Sequence, residues 1–186
     1  MESKERLQEY KKEWEDYRNN NADVLVEYGR KCGITGDTNF VTAEVFSRIV
    51  SYKAIRNISG TSLVYNAPLK GGYDYDTEAG TGVEAKYRNC LSDQYPTDDI
   101  SFCKAERDDI VNHTGPVHLV YTFVDGISRC YDLKKAVENG IEGEWTHNKT
   151  TARDGKQITE TKISFNPSMA LWSTSITHPI CHPRKS

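Results

Sequence analysis

The spacing of apolar positions predicts three helices in the first third of the chain. The charged residues 2–18 carry a narrow stripe of apolar side chains at helical spacing. A stripe this narrow favours packing of the helix across the domain surface over packing against a second subunit. Residues 22–30 predict a second, shorter helix, and Thr42 is the predicted cap of a third helix that runs to Arg56. The apolar stripes are Leu7, Tyr10, Trp14 and Tyr17 in the first helix, and Val45, Phe46, Ile49 and Val50 in the third.

Further along the chain, shorter apolar runs alternate with turn residues and helix signals. The run at 117–124 is almost continuously apolar, which is typical of a strand buried on both faces. Pro96, followed by Thr-Asp-Asp, has the chemistry of a helix start, and Gly140 has that of a helix C-cap. Strands are therefore predicted at 61–66, 117–124 and 128–131, and helices at 96–112 and 133–138.

The last third of the chain predicts a polar hairpin, residues 144–165, followed by a tail docked through Trp172 and Ile176. From Glu144 onward there are six Lys or Arg residues against three acids. Such a ribbon suits DNA, with basic side chains on phosphates, but it equally suits a solvated sheet edge protected by charge. Both interpretations stay open; the candidate DNA-binding residues are Lys149, Arg153, Lys156 and Lys162.

Composition sets limits on the class of protein. With 186 residues, 27% of them charged, and a net charge of −3, the chain is long enough for one domain with a core, and it is not a basic nucleic-acid coat. The five cysteines form no CxxC pair, and no apolar run has the length of a membrane span or the form of a signal peptide. We therefore expect a cytoplasmic protein with free thiols and no membrane partner.

The stretch 71–88, GGYDYDTEAGTGVEAKYR, predicts two short strands joined by a tight turn. A turn centred near Ala79 places Asp74 opposite Glu84. Because residues two apart share a face of a strand, Asp76 and Lys86 then point the same way as these two. Carboxylates that converge in this manner are natural ligands of a hard divalent cation such as Mg²⁺.

This hairpin resembles the signature of the PD-(D/E)XK nuclease superfamily, which includes most type II restriction endonucleases. The matching residues are Gly72-Tyr73-Asp74 and Glu84-Ala85-Lys86, although no proline precedes the aspartate. The resemblance implies that Asp74 and Glu84 bind Mg²⁺, or Mn²⁺ as a substitute, and that the Ala85 carbonyl completes the set. It also implies that Lys86 assists the attacking water and is catalytic together with Asp74 and Glu84.

Two further acids are candidates for the metal site. Asp76 competes with Asp74 for the first position, and Glu44 matches a glutamate that some family members place on the preceding helix. For Glu44 we favour a simpler role, an acid stabilised by the positive end of the helix dipole.

The resemblance implies an α/β fold with a restriction-endonuclease-like core. A mixed central sheet is flanked by helices, with an N-terminal helix and a C-terminal β-ribbon added. The single nuclease-like domain, 1–186, then divides into a helical arm (1–31), a catalytic core (41–140) and the polar hairpin and tail (144–186).

The expected function is metal-dependent hydrolysis of DNA, as a restriction-type or phage-type endonuclease. Double-stranded DNA is the expected partner, and a homodimer is expected where both strands are cut. The alternative is a non-catalytic nucleic-acid-binding or protein-interaction module, in which the acids and lysine of the hairpin only line its solvated face.

Overall fold

A computed structural model describes residues 3–59, 63–64, 73–140, 143–148 and 157–176, which form an α/β structure with a mixed sheet flanked by helices. This coarse fold class confirms the prediction. The helices are α1 (Ser3–Asn20), α2 (Ala22–Lys31), α3 (Thr38–Ser59), α4 (Lys104–Asn112) and α5 (Leu133–Glu138). The strands are β1 (Leu63–Val64), β2 (Tyr75–Thr77), β3 (Gly82–Arg88), β4 (Asp98–Phe102), β5 (Val117–Phe123), β6 (Ile127–Asp132), β7 (Gly143–Asn148), β8 (Gln157–Phe165) and β9 (Trp172–Ser175).

The main sheet has six strands in the order β1-β2-β3-β5-β6-β9. Its central pair, β3 and β5, is parallel, and the other neighbours are antiparallel. A parallel pair needs a long crossover connection, and here β4 and α4 lie in that connection. A second, antiparallel sheet has the order β4-β8-β7.

Each face of the main sheet has its own apolar core. Strand β5 alternates between the two, because Val120 packs with the helical side while Leu119 and Tyr121 pack with the side of the second sheet. Helices α1, α2 and α3 contribute to the first core, and α4, α5, β4 and β8 contribute to the second. The predicted burial of this strand on both faces is confirmed.

The first helix packs on the domain, as its stripe predicts. The ring of Trp14 meets Phe46 edge-on at 5.2 Å between centroids and stacks on Tyr87 at 6.0 Å. Phe46 belongs to α3 and Tyr87 to β3, so this aromatic contact ties α1 to the centre of the fold.

Two predicted helix starts are wrong. Helix α3 begins at Thr38, because the Asp37 carboxylate accepts from the Phe40 N–H at 2.9 Å; Thr42 lies inside the helix and donates to the Thr38 carbonyl. The helix predicted from Pro96 begins only at Lys104. Residues 98–102 form β4 instead, since every second side chain from Asp98 is buried, which is the period of a strand.

The predicted C-terminal hairpin is confirmed as the pair β7 and β8, but β8 also pairs with β4. It is therefore part of a three-stranded sheet that covers the second core. The two residues predicted to dock the tail are packed on the domain, since Trp172 begins β9, which pairs with β6, and Ile176 is buried; the tail from residue 177 lies outside the described residues. No helix in the described ranges is both long and apolar enough to cross a membrane.

A buried ion pair joins the two sheets. Asp98 of β4 is 2% exposed, and Arg129 of β6 donates from Nη1 to both of its carboxylate oxygens at 3.1 and 3.0 Å. The Tyr131 hydroxyl also donates to Asp98, and Arg129 donates to the Ser92 carbonyl at 2.8 Å. This charge is fully partnered, which is the condition for a buried ion pair to be tolerated.

Replacing Asp98 by Ala should lower the free energy of unfolding by about 3–5 kcal/mol, because it leaves the Arg129 guanidinium buried without its carboxylate. Asp99 is the matched control, since its partner Lys162, at 2.9 Å, is 41% exposed and Asp99 is 40% exposed. Asp99→Ala should cost less than about 1 kcal/mol. Urea denaturation measures both losses of unfolding free energy, provided that the variants share the same dependence on urea concentration. Equal losses for the two variants would contradict the assignment of Asp98 and Arg129 as a buried ion pair.

Candidate functional site

The predicted hairpin of residues 71–88 is present from residue 73 onward. Strands β2 and β3 pair with Tyr75 opposite Val83, and the Asp74 N–H donates to the Val83 carbonyl at 2.8 Å. The regular register ends at Tyr75, because Asp74 also bonds to Val83, so the predicted position of Asp74 opposite Glu84 is not part of the strand pairing. Gly80 has a φ of 79°, a left-handed conformation that glycine adopts without strain. The turn and the pairing of the two strands were thus predictable from alternation and glycine positions.

Asp74 is held by two groups. Its Oδ2 accepts from the Ala85 N–H at 2.8 Å, and its Oδ1 lies 3.5 Å from Nη2 of Arg48 on α3. The Asp74 side chain is 17% exposed. The carboxylate therefore has a fixed orientation, set by a backbone donor of the neighbouring strand and by a cation from the helix.

Glu84 and Lys86, on one face of β3, form a close ion pair with 2.6 Å between Oε1 and Nζ. Burial raises the pKa of Glu84 to about 8, repulsion from Asp74 adds to this, and attraction to Lys86 opposes it. Glu106 of α4 adds a smaller repulsion in the same direction. Burial lowers the pKa of Lys86, but the attractions to Glu84, Asp74 and Glu44 together outweigh burial and raise it.

Helix α3 supplies a third acid and a hydroxyl. Ser47 Oγ donates to the Ala85 carbonyl at 3.0 Å, and burial, followed by repulsion from Asp74, raises the pKa of Glu44. Glu44 therefore faces the hairpin acids. The helix-dipole role favoured from the sequence is wrong, because α3 begins at Thr38 and Glu44 lies in its second turn, beyond the reach of the dipole.

Asp76 takes part in a different cluster. Its Oδ1 is 2.9 Å from His113 Nε2, and the Tyr73 hydroxyl donates to Oδ2 at 3.4 Å. Because a carboxylate only accepts, His113 Nε2 donates this hydrogen bond to Asp76, while Nδ1 lies 3.0 Å from both the N–H and the carbonyl oxygen of Gly115. Asp76 therefore belongs to a hydrogen-bonded group separate from the Arg48 contact of Asp74. Nothing in the sequence signalled the role of His113, because the pair joins positions far apart along the chain.

Of the candidate DNA-binding residues, Lys162 lies in the described part of the chain, and Lys149, Arg153 and Lys156 lie outside it. Lys162 pairs with Asp99 and borders a cavity of about 250 Å³. Arg88 lines the same cavity and shares the strand face of Glu84 and Lys86. Asp99 also lines this cavity, so its border carries two cations and one carboxylate.

The donor set fits a hard cation in part. Mg²⁺ is commonly held by one or two carboxylates with water completing its shell, and Asp74 and Glu84 supply two. The Ala85 carbonyl, named as a candidate ligand, already accepts from Ser47 but keeps a second lone pair. Within the described ranges, no group of three or more His, Cys, Asp or Glu residues is arranged to hold a metal alone.

Comparison of the chain with protein-family models, with curated proteins and with solved structures found no match.

The charge balance of the cluster can be measured without any metal. In the metal-free protein, carbon-detected NMR of the Glu84 carboxyl should show titration near pH 8. Asp74→Asn should lower the pKa of Glu84 because it removes a repulsion, and Lys86→Met should raise it because it removes an attraction.

Glu44→Gln is a second test on the helix side, and it should lower the pKa of Lys86, which Glu44 helps to raise. Titration of Glu84 near its ordinary pH range in the unsubstituted protein would contradict this description of the cluster.

Proposed function

We propose that the chain is a metal-dependent nuclease that hydrolyses phosphodiester bonds of DNA. The observation that carries the proposal is the half-buried gathering of Asp74, Glu84 and Lys86, with Glu44 of α3 close enough for its charge to act on Asp74 and Lys86. When all are ionised, the three carboxylates and two cations, Lys86 and Arg48, leave this cluster with one excess negative charge. Mg²⁺, or Mn²⁺ in its place, would be held by Asp74 and Glu84 and would supply Lewis-acid polarisation of the phosphate.

The order of elements supports a restriction-endonuclease-like core. Helix α3, strands β1 to β3, helix α4 and strand β5 follow one another in the order that the resemblance implies. The additional strand β4 is inserted before α4, and it recruits the C-terminal hairpin into a second sheet. The insertion leaves the hairpin acids and the adjacent α3 face intact.

Lys86 is the residue best placed to handle the attacking water. Its ammonium carries three donors, and it is anchored 2.6 Å from the Glu84 carboxylate. It would hold a water by hydrogen bonding and oppose the negative charge that grows on phosphorus-bound oxygens. The water oxygen would bond to phosphorus as the P–O3′ bond breaks, the water would release a proton to solvent, and the departing 3′ oxygen would take one up from solvent. The family resemblance implies this outcome, with a 5′-phosphate on the product.

The proposed substrate is double-stranded DNA, and the protein would act as a homodimer where both strands are cut. Arg88 and Lys162 support a polyanionic substrate, because they place positive charge beside the cluster, on the same side of β3 as Lys86. The four described cysteines, Cys32, Cys90, Cys103 and Cys130, are free thiols, in line with the proposed cytoplasmic location.

A second function is supported by a specific observation. Each hairpin carboxylate already has a cationic partner from the chain itself, Arg48 for Asp74 and Lys86 for Glu84. A cluster partnered in this way can be purely structural. The alternative is then a non-catalytic nucleic-acid-binding or protein-interaction module.

Incubation of the purified protein with supercoiled plasmid, with Mg²⁺ or with EDTA, tests the nuclease. Cutting should require Mg²⁺, and Glu84→Gln and Lys86→Met should each slow it at least about 100-fold. Lys31→Met removes one charge from an exposed site on α2 and should cut at the unsubstituted rate. Metal-dependent cutting that survives Lys86→Met would exclude the hairpin as the active site.

The choice between the two aspartates has its own test. Asp74→Asn should abolish Mn²⁺ binding measured by calorimetry, because it removes one of two carboxylate ligands. Asp76→Asn should bind Mn²⁺ within about twofold of the unsubstituted protein, because Asp76 is engaged by His113. Absence of both cutting and Mn²⁺ binding in the unsubstituted protein would favour the non-catalytic module.

A further inference from the structure

Arg48 is an unusual residue for the position it occupies. Its side chain is 10% exposed, and its Nη2 lies 3.5 Å from Asp74 Oδ1. The two other guanidinium nitrogens, Nε and Nη1, are buried and have no hydrogen-bond partner within the described part of the chain. A buried guanidinium with this little hydrogen bonding is costly to keep.

The neighbouring carboxylates account for its presence. Arg48 attracts Glu44, and both lie on the face of α3 that meets Asp74. Without Arg48, the acids Glu44, Asp74 and Glu84 would face Lys86 alone, and the cluster would carry two excess negative charges. The guanidinium therefore acts through its charge more than through directed hydrogen bonds.

The geometry of the contact between Arg48 and Asp74 is one in which another cation could replace the guanidinium. Oδ2 of Asp74 is committed to the Ala85 N–H, so Oδ1 is the oxygen left for an outside cation, and it is the oxygen that faces Arg48. A separation of 3.5 Å is too long for a strong hydrogen bond. A small divalent ion bound at Oδ1 would thus compete with the guanidinium for the same atom.

We propose that Arg48 is an internal counter-ion of the carboxylate cluster and competes with the divalent cation for Asp74. It is a positioning residue: it keeps the three acids together when the metal is absent and sets a low affinity for the metal. This proposal rests on the proposed function, since it assigns Asp74 to a metal site. Its consequence is that removing the positive charge of Arg48 tightens metal binding.

The experiment is calorimetric titration of Mn²⁺ into the folded, metal-free protein and its variants, so the readout is binding and not activity. Arg48→Met should bind Mn²⁺ at least about tenfold more tightly, because a like charge beside the ion is gone. Arg48→Gln, the second neutral variant, should behave in the same way. Arg48→Lys keeps the charge and should stay within about threefold of the unsubstituted protein.

Arg56→Met is the matched control. Arg56 lies on the same helix, two turns further on, and is exposed, so its loss should change Mn²⁺ affinity less than twofold. Circular dichroism first establishes that each variant is folded. Should Arg48→Met not fold, Arg48→Gln and Arg48→Lys still compare a neutral with a charged side chain at this position.

The outcomes separate this inference from the proposed function. Mn²⁺ binding in the unsubstituted protein with unchanged or weaker binding in the neutral variants would overturn the role of Arg48 and leave the metal site standing. Binding that appears only in the neutral variants would support the competition. No binding in any protein would overturn both the metal site and the competition.

Discussion

The peptide unit of Ala85 is the constraint on which the candidate site depends. Its N–H donates to Asp74, and its carbonyl accepts from Ser47, so one residue of β3 joins the loop before β2 to helix α3. Ala85 also lies in the middle of the parallel pairing, opposite Val120 of β5. Because that pair is buried on the helical side, the orientation of Asp74 is set by the buried centre of the sheet.

Burying charged groups at this point of β3 costs free energy, and the packing around them shows how that cost is offset. Val83 and Ala85 point into the helical core, so Glu84 and Lys86 alternate to the opposite face at its edge. There each acid finds a cation within reach, and burial strengthens every attraction and every repulsion between them. The raised pKa values of Glu44 and Glu84 record that the repulsions are not fully offset.

Local patterns in the sequence predict local structure well in this chain and long-range contacts poorly. Alternation and two glycines were enough for the hairpin, and an apolar run was enough for β5. Residues 98–102 were wrongly predicted as helix because Pro-Thr-Asp-Asp has helix-start chemistry. The burial of Asp98, which marks the strand, depends on Arg129, more than thirty residues away. The roles of Arg48 and His113 could not be predicted from the sequence for the same reason: their partners lie on other elements, and only packing brings them together.

The balance of charge bears most directly on what the cluster does. A purely structural ion-pair network in a half-buried position is most stable when acids and bases are equal in number, because any excess must be desolvated without a partner. Here three acids face two cations, and the excess can be neutralised by a proton or by an external cation. A proton relieves one carboxylate alone, whereas a divalent ion lies between two. Asp74 is held against β3 by the Ala85 N–H and repels Glu84, so a divalent ion shared by the two carboxylates would relieve that repulsion.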